Sequence, residues 1–159
     1  MLSLTQFQNI STDSLSNIII PVYVSYGLNT TTFDKITNLG LSQLSKDDSL
    51  SQKIYSYYTY EKKYFDTFIK WEVESTTIEG NYWWYNQNEY EVNSFNNFPQ
   101  FQDEKQNRQN LIKLITSPKG RNYLTAYYER KQRVLESYEG MRNLAIGLID
   151  EIEQELTGE

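Results

Sequence analysis

The chain is predicted to be all-α, an up-and-down helical bundle with two long helices and shorter helices packed alongside. Three observations predict this. Apolar residues recur at steps of three and four along two extended segments. Capping chemistry stands at the head of the helical blocks, in "STDS", "KDDS" and "TSP". The connections between blocks are of a length that suits antiparallel neighbours. One domain spanning residues 1–159 is expected, since that length suits a single core.

The first helix follows Ser11 to Ser14 and carries "LSNIII". Pro21 limits it, because proline lacks the N–H donor and clashes with the preceding turn. "YGLNTTT" reads as a loop. A threonine among Thr30, Thr31 and Thr32 then caps "FDKITNLG", with Phe33, Ile36 and Leu39 on one stripe. Gly40 stands where a helix commonly ends in a left-handed residue.

The third helix is long. "KDDS" supplies its cap and first-turn acids, and Leu50, Ile54, Tyr57, Tyr58, Phe65, Phe68 and Trp71 recur near helical period. It is expected from about Asp48 to at least Glu74, and onward through most of "NYWWYNQNEY" (Asn81 to Tyr90), with irregularity near Gly80. A loop with Pro99 follows, from Asn93 to Phe101. The fourth block opens near Asp103, carries "NLIKLIT" and is interrupted at Ser117 and Pro118. Proline is tolerated in a first helical turn, where its missing donor is unneeded.

The last helix has the clearest period. Leu124, Tyr127, Val134, Leu135, Tyr138, Met141, Ala145, Leu148, Ile149, Ile152 and Leu156 step by threes and fours. All are expected on one amphipathic face of some ten turns.

Composition narrows the chemistry. There is no cysteine and no histidine. This removes disulfides, thiolate nucleophiles, imidazole bases and imidazole metal ligands. The hydrophobic share is 38%, below the ~45–50% usual for globular domains. Burial must therefore come from rings, each worth roughly 150–250 Å². Net charge is −6, which disfavours nucleic acid as a partner. Charge is uneven: eight basic residues and the single acid Glu129 lie between Lys105 and Arg133, whereas "IDEIEQELTGE" is acidic. These two stretches read as solvated faces, as a surface for an acidic partner, or as segments that meet within or between chains. Exposed pairs contribute only ~0–1 kcal/mol each, so a monomer or weak dimer is expected. No run of apolar residues is long enough to span a membrane.

The stretch Tyr82, Trp83, Trp84, Tyr85 and Asn86 is the candidate ligand or partner surface. Rings with neighbouring amides suit a sugar or a small molecule, and Trp and Tyr anchor protein interfaces. The same rings equally suit a core. Trp71 and at least one of Trp83 and Trp84 are expected to pack against the face between Leu124 and Tyr138. Carboxylate pairs such as Glu72 with Glu74, and the group Asp150, Glu151, Glu153 and Glu155, lack the facing cleft that glycosidase chemistry needs. "KDDS" lacks the spacing of a calcium loop, and no phosphate-binding glycine loop occurs. No catalytic residue, cofactor or metal is expected. Asn9 and Asn29 each open an Asn-x-Ser/Thr pattern, a weak signal in an Asn-rich chain.

Three stretches together carry a resemblance: "TTTFDKITNLGLSQLSKDDSLSQKIYSYY", "FIKWEVE" and "LIKLITSPKGRNYLTAYYERKQRVLESYEGMRNLAIGLIDEIEQEL". They resemble a family of membrane-anchored Bacteroidetes proteins of unknown function, over most of the span from Thr30 to Leu156. Members of that family begin with a transmembrane helix, which this sequence lacks. The resemblance implies a non-enzymatic extracytoplasmic helical domain, an interaction or sensory module on the periplasmic side of the inner membrane. The alternative placement is cytoplasmic. The alternative function is a small-molecule or glycan-binding domain using Trp83, Trp84 and Tyr85.

Overall fold

The computed structural model describes residues 7, 9–23, 27–41, 43–92 and 101–158. Residues 93–100 of the expected loop from Asn93 to Phe101 lie outside them, as does Tyr26 of the expected loop "YGLNTTT". The protein is all-α, and among the described residues there is no strand.

Among the described residues six α-helices are delimited: α1 (Thr12–Ile18), α2 (Thr31–Asn38), α3 (Asp48–Ser56), α4 (Lys62–Gly80), α5 (Glu104–Thr116) and α6 (Pro118–Thr157). Two π-helical segments, Tyr57–Glu61 and Asn81–Tyr85, join α3 to α4 and extend α4. Helical backbone therefore runs unbroken from Asp48 to Tyr85, and this run and α6 are the two long helices. The expected continuation through Asn81–Tyr90 holds only to Tyr85. Beyond it the backbone leaves the helix, where Asn86, Asn88 and their neighbours favour turns over helix.

The helix ends follow local chemistry. Ser11 Oγ accepts the Ser14 N–H at 3.1 Å, Asp47 Oδ1 accepts the Ser49 N–H at 2.7 Å and Asp103 Oδ2 accepts the Gln106 N–H at 3.1 Å. Each satisfies a donor that the first helical turn leaves orphaned. At α2 the Thr30 hydroxyl instead donates to Asp34 at 2.6 Å. Helix α2 closes at Gly40, φ +75°. The Gly40 N–H reaches Thr37 O and the Leu41 N–H reaches Ile36 O, a Schellman closure that needs a left-handed residue.

The corner between α5 and α6 is tighter still. Ser117 Oγ donates to Leu114 O at 2.7 Å and accepts the Gly120 N–H at 3.0 Å. A Cβ on Gly120 would stand 2.1 Å from Leu114 O. Only glycine lets the two helices meet this closely.

The chain divides into two compact units: Met1–Tyr23 with Val73–Arg130, and Val24–Glu72 with Lys131–Glu159. The first unit has a core of Phe7, Leu15, Ile19, Tyr82, Trp83, Tyr90, Leu111 and Ile115. In the second, Tyr57, Phe65 and Met141 are the buried cluster. There α3 and the first turns of α4 run antiparallel to the second half of α6. Lys53 meets Glu151 at 2.7 Å, Phe65 meets Tyr138 edge-on at 5.0 Å, and Glu72 meets Lys131. Helix α2 covers this pair through Phe33, stacked on Tyr58 at 4.6 Å.

Candidate functional site

The five candidate residues do not share one surface. Tyr82 and Trp83 are buried. Tyr82 stacks on Tyr123 with centroids 4.1 Å apart and planes 5° from parallel, and Trp83 lies edge-on to both rings. Lys119 lies over the Tyr82 ring at 4.9 Å. Trp84 is half-buried against the same cluster. Tyr85 is 75% exposed, and Asn86 is exposed. Buried rings present no open face to a ligand, so Tyr82 and Trp83 act here as core. The π turn over Asn81–Tyr85 is what places adjacent bulky rings on the inner side. It carries more than four residues per turn, so successive side chains fan over a narrower arc than in an α-helix.

Asn86, Gln87, Asn88, Asn110 and Lys113 line a cleft of about 340 Å³. Two of its amides are already engaged. Gln87 Nε2 donates to Tyr82 O, and Asn110 Nδ2 donates to Glu89 O. Nearby, buried Asn107 accepts the Glu91 N–H at 2.8 Å and donates to Glu91 O at 3.0 Å. These bonds satisfy the backbone that leaves the helix after Tyr85, which is the structural need an unpaired chain segment creates.

Trp71 departs from the expectation of burial. It is 40% exposed, touching Phe68 edge-on at 6.5 Å. The π turn at Tyr57–Glu61 shifts the helical phase, and the buried positions of α4 then run Phe65, Glu72, Thr76 and Glu79. Trp71 is one position, about 100°, away from that face. An apolar pattern cannot find a buried face that carries carboxylates.

Those carboxylates are matched by cations. In the first unit, Arg130 forks onto Glu79, with Nη2 at 2.8 Å from Oε2 and Nη1 on Oε1; the side chains are 3% and 5% exposed. In the second, Lys131 Nζ meets Glu72 Oε1. Burial and the Glu72 charge raise the Tyr138 phenol above its ordinary pKa. Arg108 donates to Ile10 O at 2.6 Å and to Thr12 Oγ1 at 3.2 Å. Much of the basic stretch between Lys105 and Arg133 therefore holds the fold. The acidic end is likewise engaged: Glu151 meets Lys53, and the Glu155 carboxylate accepts the Lys46 N–H at 2.7 Å. The Ser45 side chain, followed by backbone bonds from Lys46 and Asp47, lowers the Glu155 pKa.

The exposed apolar surface lies elsewhere, mostly on positions expected in the core. Leu135, Ile149 and Leu156 of α6, all expected on the inner face, are 58%, 53% and 81% exposed, and Ile146, outside that expected set, is 42% exposed. The buried side of this half of α6 is Val134 and Met141, flanked by half-buried Tyr138, Ala145, Leu148 and Ile152. A signal for this was present in the sequence. Eleven apolar positions cover a wider arc than the ~100° stripe a single packed face requires. On α4 and the π turn before it, Tyr60, Tyr64 and Trp71 form a second exposed row, with Phe68 half-buried between the last two. Among the described residues no cluster of acidic side chains is arranged to hold a metal ion, and no helix is long and apolar enough to cross a membrane. No protein family, curated protein or solved structure matches this chain.

Proposed function

We propose that the chain is a non-catalytic helical interaction module, displayed on the extracytoplasmic side of a cell-envelope protein. One observation carries the interaction reading. The second half of α6 leaves Leu135, Ile146, Ile149 and Leu156 in water while a separate set of residues on the same helix supplies the core. Aliphatic surface gathered along one helix is typical of docking faces. Arg108, Arg130, Lys131, Gln87 and Asn110 support the same reading, because each already serves the fold. The envelope placement is supported by the resemblance of the packing residues between Thr30 and Leu156.

The test separates docking face from core. At sub-micromolar concentration, Ile149→Ser is expected to change unfolding free energy by no more than ~0.5 kcal/mol, as surface substitutions do. A loss of the ~2–5 kcal/mol typical of truncated core aliphatics would overturn the reading. Fractionation of cells expressing the native gene checks the placement, and recovery wholly in the cytosol would refute it.

A further inference from the structure

We propose that the exposed face of α6 is a self-docking surface, on which a second copy of the chain lays its own α6 antiparallel. The proposal rests on the interaction-module reading and names the partner. Leu135, Arg142, Ile146, Ile149, Glu153 and Leu156 are all exposed. At 100° per residue they fall within an arc of about 80°, turned roughly 90° from the direction of Val134 and Met141. The face is thus a stripe of its own, with one cation and one anion set among aliphatic side chains.

The charges fix polarity and register. In a two-fold antiparallel pairing that sets Ile146 against Ile149 of the second copy, Arg142 falls opposite Glu153 of that copy. The symmetry repeats both pairs. A parallel pairing in register would instead set Arg142 on Arg142 and Glu153 on Glu153, which is repulsive.

The same register meets a matching shape. It carries Leu156 of the second copy, 81% exposed in the single chain, over position 139. Leu135, Tyr138, Glu139 and Arg142 surround that position at i, i+3, i+4 and i+7, the four-residue hole into which a knob packs. The structure has a concavity of about 360 Å³ there, lined by these four with Met141 and Tyr57. One register therefore answers the charges, the central isoleucines and the hole together.

The apolar stripe offers on the order of a few hundred Å² per copy, less than the ~800 Å² per partner of a standard stable interface. The dimer is accordingly weak and reversible. Sedimentation of the full chain over a micromolar to sub-millimolar series should show a concentration-dependent monomer–dimer equilibrium. Ile149→Glu should weaken it at least tenfold. Arg142→Glu alone and Glu153→Arg alone should each weaken it about tenfold, because each creates like-charge pairs twice. Mixing those two variants in equal amounts should restore dimers, since both cross-pairs become complementary. The doubly swapped chain, Arg142→Glu with Glu153→Arg, should dimerise like the parent. A parent chain that stays monomeric throughout, or a mixture that associates no better than its components, overturns the proposal. The first result leaves the face to an unlike protein, and the Ile149→Ser stability measurement on the monomer still decides whether the face is a docking surface.

Discussion

The two units reach burial in different ways. The first closes around stacked rings, with Tyr82 on Tyr123 and Trp83 against both, and eight buried residues form one cluster. The second closes around a smaller buried cluster, Tyr57, Phe65 and Met141, and leaves aliphatic side chains of α6 in water. The contrast inverts intuition about residue types. Tyr82, Trp83 and Tyr90 of the conspicuous aromatic stretch are interior. Leu135, Ile146, Ile149 and Leu156 of α6 are exterior. Burial follows the geometry of the elements available to cover a face, and the amphipathic character of Tyr and Trp suits them to either side.

The sharpest way to break this comparison is to truncate one ring in each unit. Trp83→Ala should cost about 3–5 kcal/mol, as buried tryptophans do. Trp71→Ala, with its ring 40% exposed, should cost less than about 1 kcal/mol. Urea unfolding of the two variants decides it. Equal losses would show that the exposed row on α4 is packed after all.

Nearly as large an effect is expected at the buried fork. Arg130→Met strips the partner from Glu79, whose side chain is 5% exposed. Leaving a buried carboxylate uncompensated costs about 3–5 kcal/mol. Adding Glu79→Leu should recover most of the loss, because two well-packed apolar groups can replace a buried pair at little cost. Failure of the double variant to recover would show that the pair supplies more than mutual neutralisation.

Gly120→Ala comes next. Its new methyl would collide with a backbone oxygen of the preceding helix. A shift of the corner is required, at about 1–3 kcal/mol or more. Gly140→Ala serves as the control, because no atom lies within 4 Å of the added Cβ. It should stabilise slightly, since alanine exceeds glycine in helix propensity by about 1 kcal/mol. Thermal melts of the pair report the difference directly.

The smallest effect is a pH dependence in the second unit. The bonds from Ser45, Lys46 and Asp47 hold the Glu155 pKa below its ordinary 4.5. A depressed acid contributes stability that is complete above pH 4.5 and disappears as pH falls through the folded value. The parent should therefore be slightly more stable than Glu155→Gln near neutrality, and the gap should close under acid. A gap that persists at low pH would show that the carboxylate's charge is not what holds the turn.

Sequence alone determined the all-α class, the two long helices and nearly every helix end. Those features depend on local physics. Ser11, Asp47 and Asp103 cap donors within three residues of themselves, Pro118 opens a first turn, and Gly40 adopts a conformation other residues avoid. Tertiary structure alone decided which helical face turns inward. The π turns at Tyr57–Glu61 and Asn81–Tyr85 reset the phase along the run from α3 to Tyr85. The cations Arg130 and Lys131, more than 50 residues away in sequence, allow Glu79 and Glu72 to be buried. Neither is visible to a count of apolar spacings, which places Trp71 inside and gives no sign that Glu72 is buried. The same cause hid the surface of α6. A helix can carry two apolar arcs, and only the positions of its neighbours determine which one is covered.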